Sequence, residues 1–313
     1  MSAETQDRPR LTTAADDRGD TAAAAPLLRA TCWGTRGSIP SPGPATARFG
    51  GNTACLEVRT RDDRCLIFDA GTGIRVLGRR LANTRQPVRA ELFLSHFHWD
   101  HIQGMPFFAP LYDARTRLRV HGARQNGVDV ESLLVAQMTP THFPVPYEAL
   151  AATIEFSHLD AQPWERKGVR ISALRVRHPG NTYGFRIDAE GVSLAYIPDN
   201  ELVGADYPVA DDWYDRFVEF LGDVDLVFHD AMFTESEYPS RIGWGHSTFR
   251  QSIELAEAAG VRRLYFFHHA PERTDDELLR ILAEMRDDIA RRNSPLQLGM
   301  AAEGEELTLR ETP

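Results

Sequence analysis

The sequence predicts an α/β fold in which sheets are covered by helices. Three observations carry this. Apolar runs of strand length come first as hairpins and then alternate with segments of helical period. Two helices carry complete start signals, Thr248 with Gln251 and Thr274 with Glu277. No repeat at solenoid spacing interrupts the pattern, which argues a mixed α/β domain.

Residues 1–26 are polar and charged, end in Ala22-Ala23-Ala24-Ala25-Pro26, and read as a disordered tail before a domain over 27–313. Leu27 to Trp33 is the first expected strand. Gly34-Thr35-Arg36-Gly37-Ser38-Ile39-Pro40 follows as a glycine-rich loop, read as a plain turn rather than a phosphate cradle. Ala54 to Val58 and Cys65 to Phe68 form a hairpin around Arg61-Asp62-Asp63. A helix is expected from Ile74 to Leu81, and Leu92-Phe93-Leu94 reads as a buried strand. Ile102 to Met105 can open a helix, and Met105 to Leu111 reads as a short one. A strand near Leu118 to His121 precedes a helical pattern from Val128 to Met138. Three prolines make 139–147 a loop. Ile154 to Phe156 and Val169 to Val176 read as strands. Thr182 to Ile187 and Val192 to Ile197 pair around the turn Asp188-Ala189-Glu190-Gly191. Trp213 to Leu221 is helical and Val224 to Phe228 a buried strand. The capped helix from Thr248 stops at Gly260, and Leu264 to Phe267 is the next strand. The helix capped by Thr274 runs to about Arg291 with the stripe Leu278, Leu282, Met285 and Ile289. Leu307 to Leu309 is a last short strand.

The 313 residues are 42% hydrophobic and 9% aromatic, enough to bury a substantial core. No apolar run approaches ~18 residues, so no membrane partner is expected. The N-terminus has no apolar segment behind a basic start. Glu4, Asp7, Asp16, Asp17 and Asp20 argue against a transit peptide, so a cytoplasmic location is expected. Cys32, Cys55 and Cys65 form no CxxC pattern and fit reduced thiols. The formal charge of −10 disfavours gripping a long nucleic acid, which needs many Lys and Arg contacts. A small phosphorylated substrate stays open, because bound metals reverse the local field.

The chemistry concentrates in Ser95-His96-Phe97-His98-Trp99-Asp100-His101, just after the buried strand. Neutral His and ionised Asp are ligands for a borderline divalent metal. His96 and His98, two apart in an extended segment, project to one side, while Asp100 and His101 point elsewhere. One metal would leave some of these groups unused, so the spacing suggests two. A His-rich surface turn is the alternative, and the ligand density after a buried strand argues against it. Asp69, His178, Asp199 and His268 each lie at or just past a strand end, where groups of α/β folds gather into one site. His246 precedes the helix capped by Thr248, whose start offers free N–H groups and a positive dipole to an anion. His229 and Asp230 follow a strand and can support the site. His269 neighbours His268 on a strand, so only one of them faces the metals. His121, His142 and His158 have no such context.

Together these residues resemble the metallo-β-lactamase superfamily, in its ribonuclease Z-like, cyclic-phosphate phosphodiesterase branch. The HxHxDH signature is His96, His98, Asp100 and His101, preceded by Asp69 in Phe68-Asp69-Ala70-Gly71. His178, Asp199, His268, His229-Asp230-Ala231-Met232 and Gly245-His246-Ser247-Thr248 fall where the branch has its further motifs. The resemblance covers about residues 30 to 272. It implies an αββα sandwich, two mixed sheets flanked by helices, around a dinuclear site. One metal would take His96, His98 and His178, the other Asp100, His101 and His268. Asp199 would bridge them and Asp69 would orient a ligand. Zinc is the default, with Mn, Fe or Co as alternatives.

The implied activity is metal-dependent hydrolysis of a small, cyclic or nucleotide phosphodiester by a hydroxide bridging the metals, with Asp100 and His246 catalytic. His246 would stabilise the developing charge or protonate the leaving oxygen, oriented by Asp230 or His229. Ester, lactone or thioester hydrolysis, tRNA 3′ processing and a non-catalytic metal-binding module are the alternatives. The sequence departs from the branch in Pro198-Asp199-Asn200 and in Asp230, where the branch has Glu. Only 20 residues separate His178 from Asp199, a hairpin's length, which leaves no room for a tRNA-gripping arm. A homodimer is left open.

Overall fold

Short turns between alternating strands build two sheets, and the longer apolar-faced segments close over them as helices. The structure is a computed structural model and describes residues 27–159 and 163–310; the tail expected over 1–26 lies outside the described residues. The first part of the chain forms β1 (Leu28–Gly34), β2 (Cys55–Thr60), β3 (Cys65–Phe68), α1 (Gly73–Asn83), β4 (Arg89–Phe93), α2 (Trp99–Ile102), β5 (Arg117–Gly122), α3 (Val130–Val135) and β6 (Thr153–His158). The second forms β7 (Trp164–Arg166), β8 (Val169–Arg175), β9 (Tyr183–Ala189), β10 (Val192–Ile197), α4 (Trp213–Phe220), β11 (Leu226–Asp230), α5 (Phe249–Ala258), β12 (Arg263–Phe267), α6 (Asp275–Arg291), β13 (Gln297–Met300) and β14 (Glu306–Leu309).

Each sheet has seven strands, in the orders β14-β1-β2-β3-β4-β5-β6 and β13-β12-β11-β10-β9-β8-β7. In the first, the pairings from β14 to β3 are antiparallel and those from β3 to β6 parallel. The second repeats this, antiparallel from β7 to β10 and parallel from β10 to β13. Parallel neighbours finish at the same edge of their sheet, so the chain leaves β3, β4, β10, β11 and β12 close together.

Alternation puts Phe68, Phe93, Phe185, Tyr196, Phe228 and Phe267 between the sheets. Phe68 stacks on Phe93 with ring centroids 5.3 Å apart and meets Phe185 at 5.5 Å. The opposite face of the first sheet, with Ile67, Leu92 and Val120, packs on Ile74, Leu77 and Leu81 of α1. The outer face of the second, with Val227, Leu264 and Phe266, packs on Ile253 of α5 and on Leu278, Leu282, Met285 and Ile289 of α6. The architecture is therefore the αββα sandwich. Both expected capping boxes form, Thr248 with Gln251 and Thr274 with Glu277. No helix among the described residues is long and apolar enough to cross a membrane.

Some expectations shift. Helix α2 starts at Trp99 and ends at Ile102, where a helix was expected to open. A Cβ on Gly104 would lie 2.0 Å from the Gly71 carbonyl, so the chain is pinned there against the loop after β3. Asp100 and His101 thus sit on a helical turn. The Val128–Met138 pattern yields an α-helix only over Val130–Val135 and a 3₁₀ turn to Met138. The segment from Met105 is likewise two 3₁₀ turns, each with a proline. Strand β11 lies two residues later than expected, so His229 and Asp230 are its last two residues. Strands β7 and β13 were not foreseen; they are three and four residues long at sheet edges.

Phe68 carries contacts to both sheets, so Phe68→Ala is expected to destabilise the fold by about 3–5 kcal/mol in urea unfolding. Val128→Ala, at a site 43% exposed, is expected to stay within about 0.5 kcal/mol of the parent.

Candidate metal centre

The centre is assembled from the bottom up by one buried carboxylate. Asp69 follows β3 in the left-handed region (φ 60°), a conformation Asp tolerates better than most residues. Its oxygens accept hydrogen bonds from Ser95 N (2.8 Å), Ser95 Oγ (2.9 Å), Tyr196 OH (3.0 Å) and His101 Nδ1 (2.8 Å). Because Ser95 Oγ donates to Asp69, it accepts from His96 Nδ1 at 3.0 Å. Asp69 therefore places the ring protons of both His96 and His101 on Nδ1, leaving both Nε2 lone pairs bare. His178 is fixed the same way: its Nδ1 donates to the Gly245 carbonyl at 2.8 Å.

Those bare atoms converge. Nitrogen or oxygen atoms of His96, His98, His178 and Asp199 lie within 4.8 Å of one another, as do those of Asp100, His101 and His268. Asp199 stands between the groups. Its Oδ2 is 3.7 Å from His96 Nε2 and 3.5 Å from His178 Nε2, while its Oδ1 is 3.0 Å from His101 Nε2 and 3.4 Å from His268 Nε2. Asp100 Oδ2 lies 3.2 Å from both His101 Nε2 and His268 Nε2. His98, the exposed member, turns Nδ1 to within 3.1 Å of His178 Nε2.

The donor set fits two divalent cations. His96 Nε2, His101 Nε2 and Asp199 Oδ1 are buried with no hydrogen-bond partner among the described residues. Buried polar atoms are normally satisfied, so such a cluster of lone pairs calls for a cation. The electrostatics agree. Burial pushes His96 and His98 below their ordinary range and His178 down to about 3, so these imidazoles are neutral. Burial works against ionisation of Asp199 and Asp100, yet the surrounding imidazoles hold both well below the usual carboxylate range. At His101, burial opposes charge, but Asp199, Asp100 and Asp69 outweigh it, so its Nε2 holds a proton unless a cation takes that proton's place.

His246 closes the group. Its ring stacks on His268 at 4.9 Å and lies 5.3 Å from His178. Its Nδ1 donates to Asp230 Oδ2 at 2.8 Å, which leaves Nε2 toward the centre. Burial disfavours its imidazolium, but the Asp230 carboxylate outweighs this and raises the pKa to about 9. Asp199, His246 and His268 also form a combination within ligand reach. Asp230 is itself fixed by the Asn200 and Met232 backbone N–H groups at 3.0 and 3.1 Å. His229 turns to the other face of β11, where Nδ1 meets Ser252 Oγ at 3.0 Å, so Asp230 alone orients His246. His269 points away from the centre, with Nε2 donating to the Ala301 carbonyl at 2.9 Å.

Sequence reasoning expected free N–H groups at the start of α5. The structure instead occupies them: Phe249 N donates to Phe233 O, Arg250 N to Glu235 and Gln251 N to Thr248 Oγ1. It also shows residues that reasoning missed. The loop 34–40 is a wall of the centre. Ser38 N donates to Asp100 Oδ2 at 2.7 Å, and a Cβ on Gly37 would lie 2.4 Å from the His268 ring. Fully buried Arg36 ties that loop to the segment after His268 through the Ala270 and Arg273 carbonyls at 3.1 and 2.6 Å. Glu201, fully buried, accepts from Gly243 N and Gly245 N, both at 2.9 Å, and so holds the loop that presents His246. The glycine-rich run was the visible signal for the first wall; the proximity of Glu201 to Asp199 was the only one for the second.

Asp69→Asn is expected to weaken metal affinity about 10–100-fold in a chelator competition, because it unfixes two imidazoles at once. Gly245→Ala, at φ 88° with its new Cβ 2.2 Å from His178 Nδ1, is expected to lower metal content by elemental analysis.

Comparison with known proteins matches this picture. The sequence profile of the "Beta-lactamase superfamily domain" family matches residues 64–269, more than half of the chain. Ribonuclease Z of Thermoplasma acidophilum is 26% identical over an alignment covering 80% of this chain and 89% of that protein. Among solved structures, the metallo-beta-lactamase fold protein YhfI from Bacillus subtilis superposes with a TM-score of 0.64 at 19% identity, covering 90% of this chain and 98% of that one. A diphosphatase of the PhnP family superposes at 0.63 with 20% identity, covering 90% and 98%. The profile match and the ordered motifs together mean that this chain belongs to the beta-lactamase superfamily, in its ribonuclease Z-like branch.

Proposed function

We propose that this metal-dependent hydrolase cleaves a small phosphodiester, cyclic or nucleotide-like, at the centre formed by the two ligand groups. His96, His98 and His178 would hold one cation, Asp100, His101 and His268 the other, with Asp199 shared. When bound, two divalent cations, zinc by default for such ligands, supply Lewis acidity to the phosphoryl group and activate water. The observation that carries the reading is His246. It is buried against His178 and His268, its Nδ1 is anchored on Asp230, and its Nε2 is free to reach an oxygen of the reacting group. An imidazolium held there hydrogen-bonds to developing negative charge and passes its proton to a departing alkoxide. Asp100, anchored by Ser38 N, is the carboxylate on the same side as His268.

Substrate size follows from the stretch between His178 and Asp199. It contains β9 and β10, joined through the tight turn at Glu190 (φ 50°) and Gly191 (φ 86°), and no insertion. With the formal charge of −10, this supports a compact substrate over a long nucleic acid. The second reading, tRNA 3′ processing, is favoured by the ribonuclease Z relatives.

The test is a panel of bis-p-nitrophenyl phosphate, 2′,3′- and 3′,5′-cyclic nucleotides, a sugar cyclic phosphate, a lactone, a thioester and a tRNA precursor. Turnover of a small phosphodiester, abolished by chelator and restored by metal, is expected; a higher kcat/KM on the precursor or the lactone would replace this reading. His246→Ala is expected to lower kcat about 10²–10⁴-fold on an alkoxide-leaving substrate and far less on p-nitrophenolate, which needs no proton. Equal losses on both would remove the acid role.

A further inference from the structure

At the end of the sandwich opposite the metal centre, the sheets part to form a cleft of about 400 Å³. Arg64, Arg89, Arg117, Arg119, Arg166 and Lys167 line it, against only two carboxylates, Glu91 and Glu155. That is a concentrated positive charge in a chain whose formal total is −10. The cleft lies at the entry of the strands: Arg89 opens β4 and Arg117 opens β5. The metal-ligand loops lie beyond the exits, about 16 Å of strand away for β4.

The side chains form two rows. Alternation puts Arg89 and Glu91 on the face of Phe93, and Arg117 and Arg119 on the face of His121, which stacks on Phe93 at 4.4 Å. All four therefore face the gap between the sheets. In the inner row the register sets Glu91 beside Arg119 and Arg119 beside Glu155, so the signs alternate. Arg119 bonds Glu155 at 2.5 Å, and Glu91 bonds His121 at 2.7 Å and Arg166 at 3.4 Å. This row neutralises itself. In the outer row the register sets Arg89 directly beside Arg117. Among the described residues neither has a carboxylate partner, and Lys167 has none either; Arg117 Nη1 donates only to the Ala114 and Thr116 carbonyls, both at 3.0 Å. Like charges side by side on neighbouring strands repel even when exposed, and an anion between them would relieve that repulsion. Arg64 frames it by donating to the Arg166 and Lys167 carbonyls at 2.5 and 2.9 Å, which fixes the β7–β8 turn against the first sheet.

We propose that this cleft binds a compact polyanion of the oligophosphate kind, held by Arg89, Arg117 and Lys167. Guanidinium forks match phosphate oxygens in pairs, and the cleft has small-ligand dimensions rather than those of a duplex. The site is separate from the metal centre and does not depend on the reaction proposed there.

The test is hydrogen exchange by mass spectrometry on the metal-loaded full chain at fixed ionic strength. Its arms are tripolyphosphate, a nucleoside triphosphate, a nucleoside monophosphate and sodium chloride alone. Tripolyphosphate is expected to protect segments 64–66, 89–91, 117–119 and 164–167 saturably. In R89S/R117S the concentration needed should rise by at least about tenfold, the factor for one lost charge-assisted bond. Stronger protection by the nucleoside triphosphate would identify a nucleotide as the source of the phosphates; equal protection would identify the phosphate chain alone. Protection confined to 96–101 and 268, an effect matched by sodium chloride, or an unchanged response in R89S/R117S would overturn the proposal. Lys167→Ser, a turn substitution outside both strands, serves as the second variant and should weaken the response in the same direction.

Discussion

The site depends on Asp69. Four donors converge on this one buried carboxylate, and through them it dictates where the protons of His96 and His101 sit. A neutral imidazole has one lone pair, so fixing one nitrogen as a donor decides which nitrogen can hold a metal. Asp69 reaches both rings because β3 and β4 are parallel neighbours that finish together. Tyr196 brings in the second sheet: its hydroxyl crosses the interface to the same oxygen that His101 uses. The contact therefore belongs to the packing of the sandwich as well as to the centre. The phenylalanine layer that spaces the sheets also sets how close β10, and so Asp199, comes to the loops after β3 and β4.

The two sheets repeat one plan, antiparallel strands followed by parallel ones. Parallel strands explain how residues from Asp69 to His268, 199 positions apart, come within ligand distance. Each crossover is carried by helix or loop on the outside, so every return delivers another strand exit to the same edge. Asp199 stands midway because β10 occupies in the second sheet the place that β3 occupies in the first.

Much of this was legible in the sequence, for identifiable reasons. His96, His98, Asp100 and His101 lie within six residues of continuous chain, so their chemistry is local. Asp69, His178, Asp199 and His268 were found because strand exits can be read from apolar runs. The capping boxes of α5 and α6 were visible because capping is a contact over three residues. What was missed is non-local or made by the backbone. Ser38 contributes an N–H, which no residue type encodes. Glu201 holds Gly243 and Gly245 across more than forty positions. The separation of Asp230 from His229 needed the exact strand phase: placing β11 two residues early hid that both residues lie on the strand and point to opposite faces. The helix at Trp99 could not be read, because the glycine contact that ends it involves a loop thirty residues earlier.

The distribution of charge divides the molecule by function. At the strand exits, buried carboxylates and imidazoles form a centre that would hold cations, and chiefly through those cations would it attract a phosphate. At the strand entries, arginines reach the gap between the sheets directly, and an anion needs no intermediary. The same alternation serves both ends: inward positions of β4 are arginine and glutamate at the entry and phenylalanine near the exit. The aromatic layer of Phe68, Phe93 and Phe185 packs between the entry cleft and the metal-ligand loops. On the proposed reading, a phosphorylated substrate would reach the centre from the outside, past exposed His98 and the loops carrying Ser38 and His246. The sandwich core thus separates two regions of opposite electrostatic demand, and the residues that stabilise the fold also stand between them.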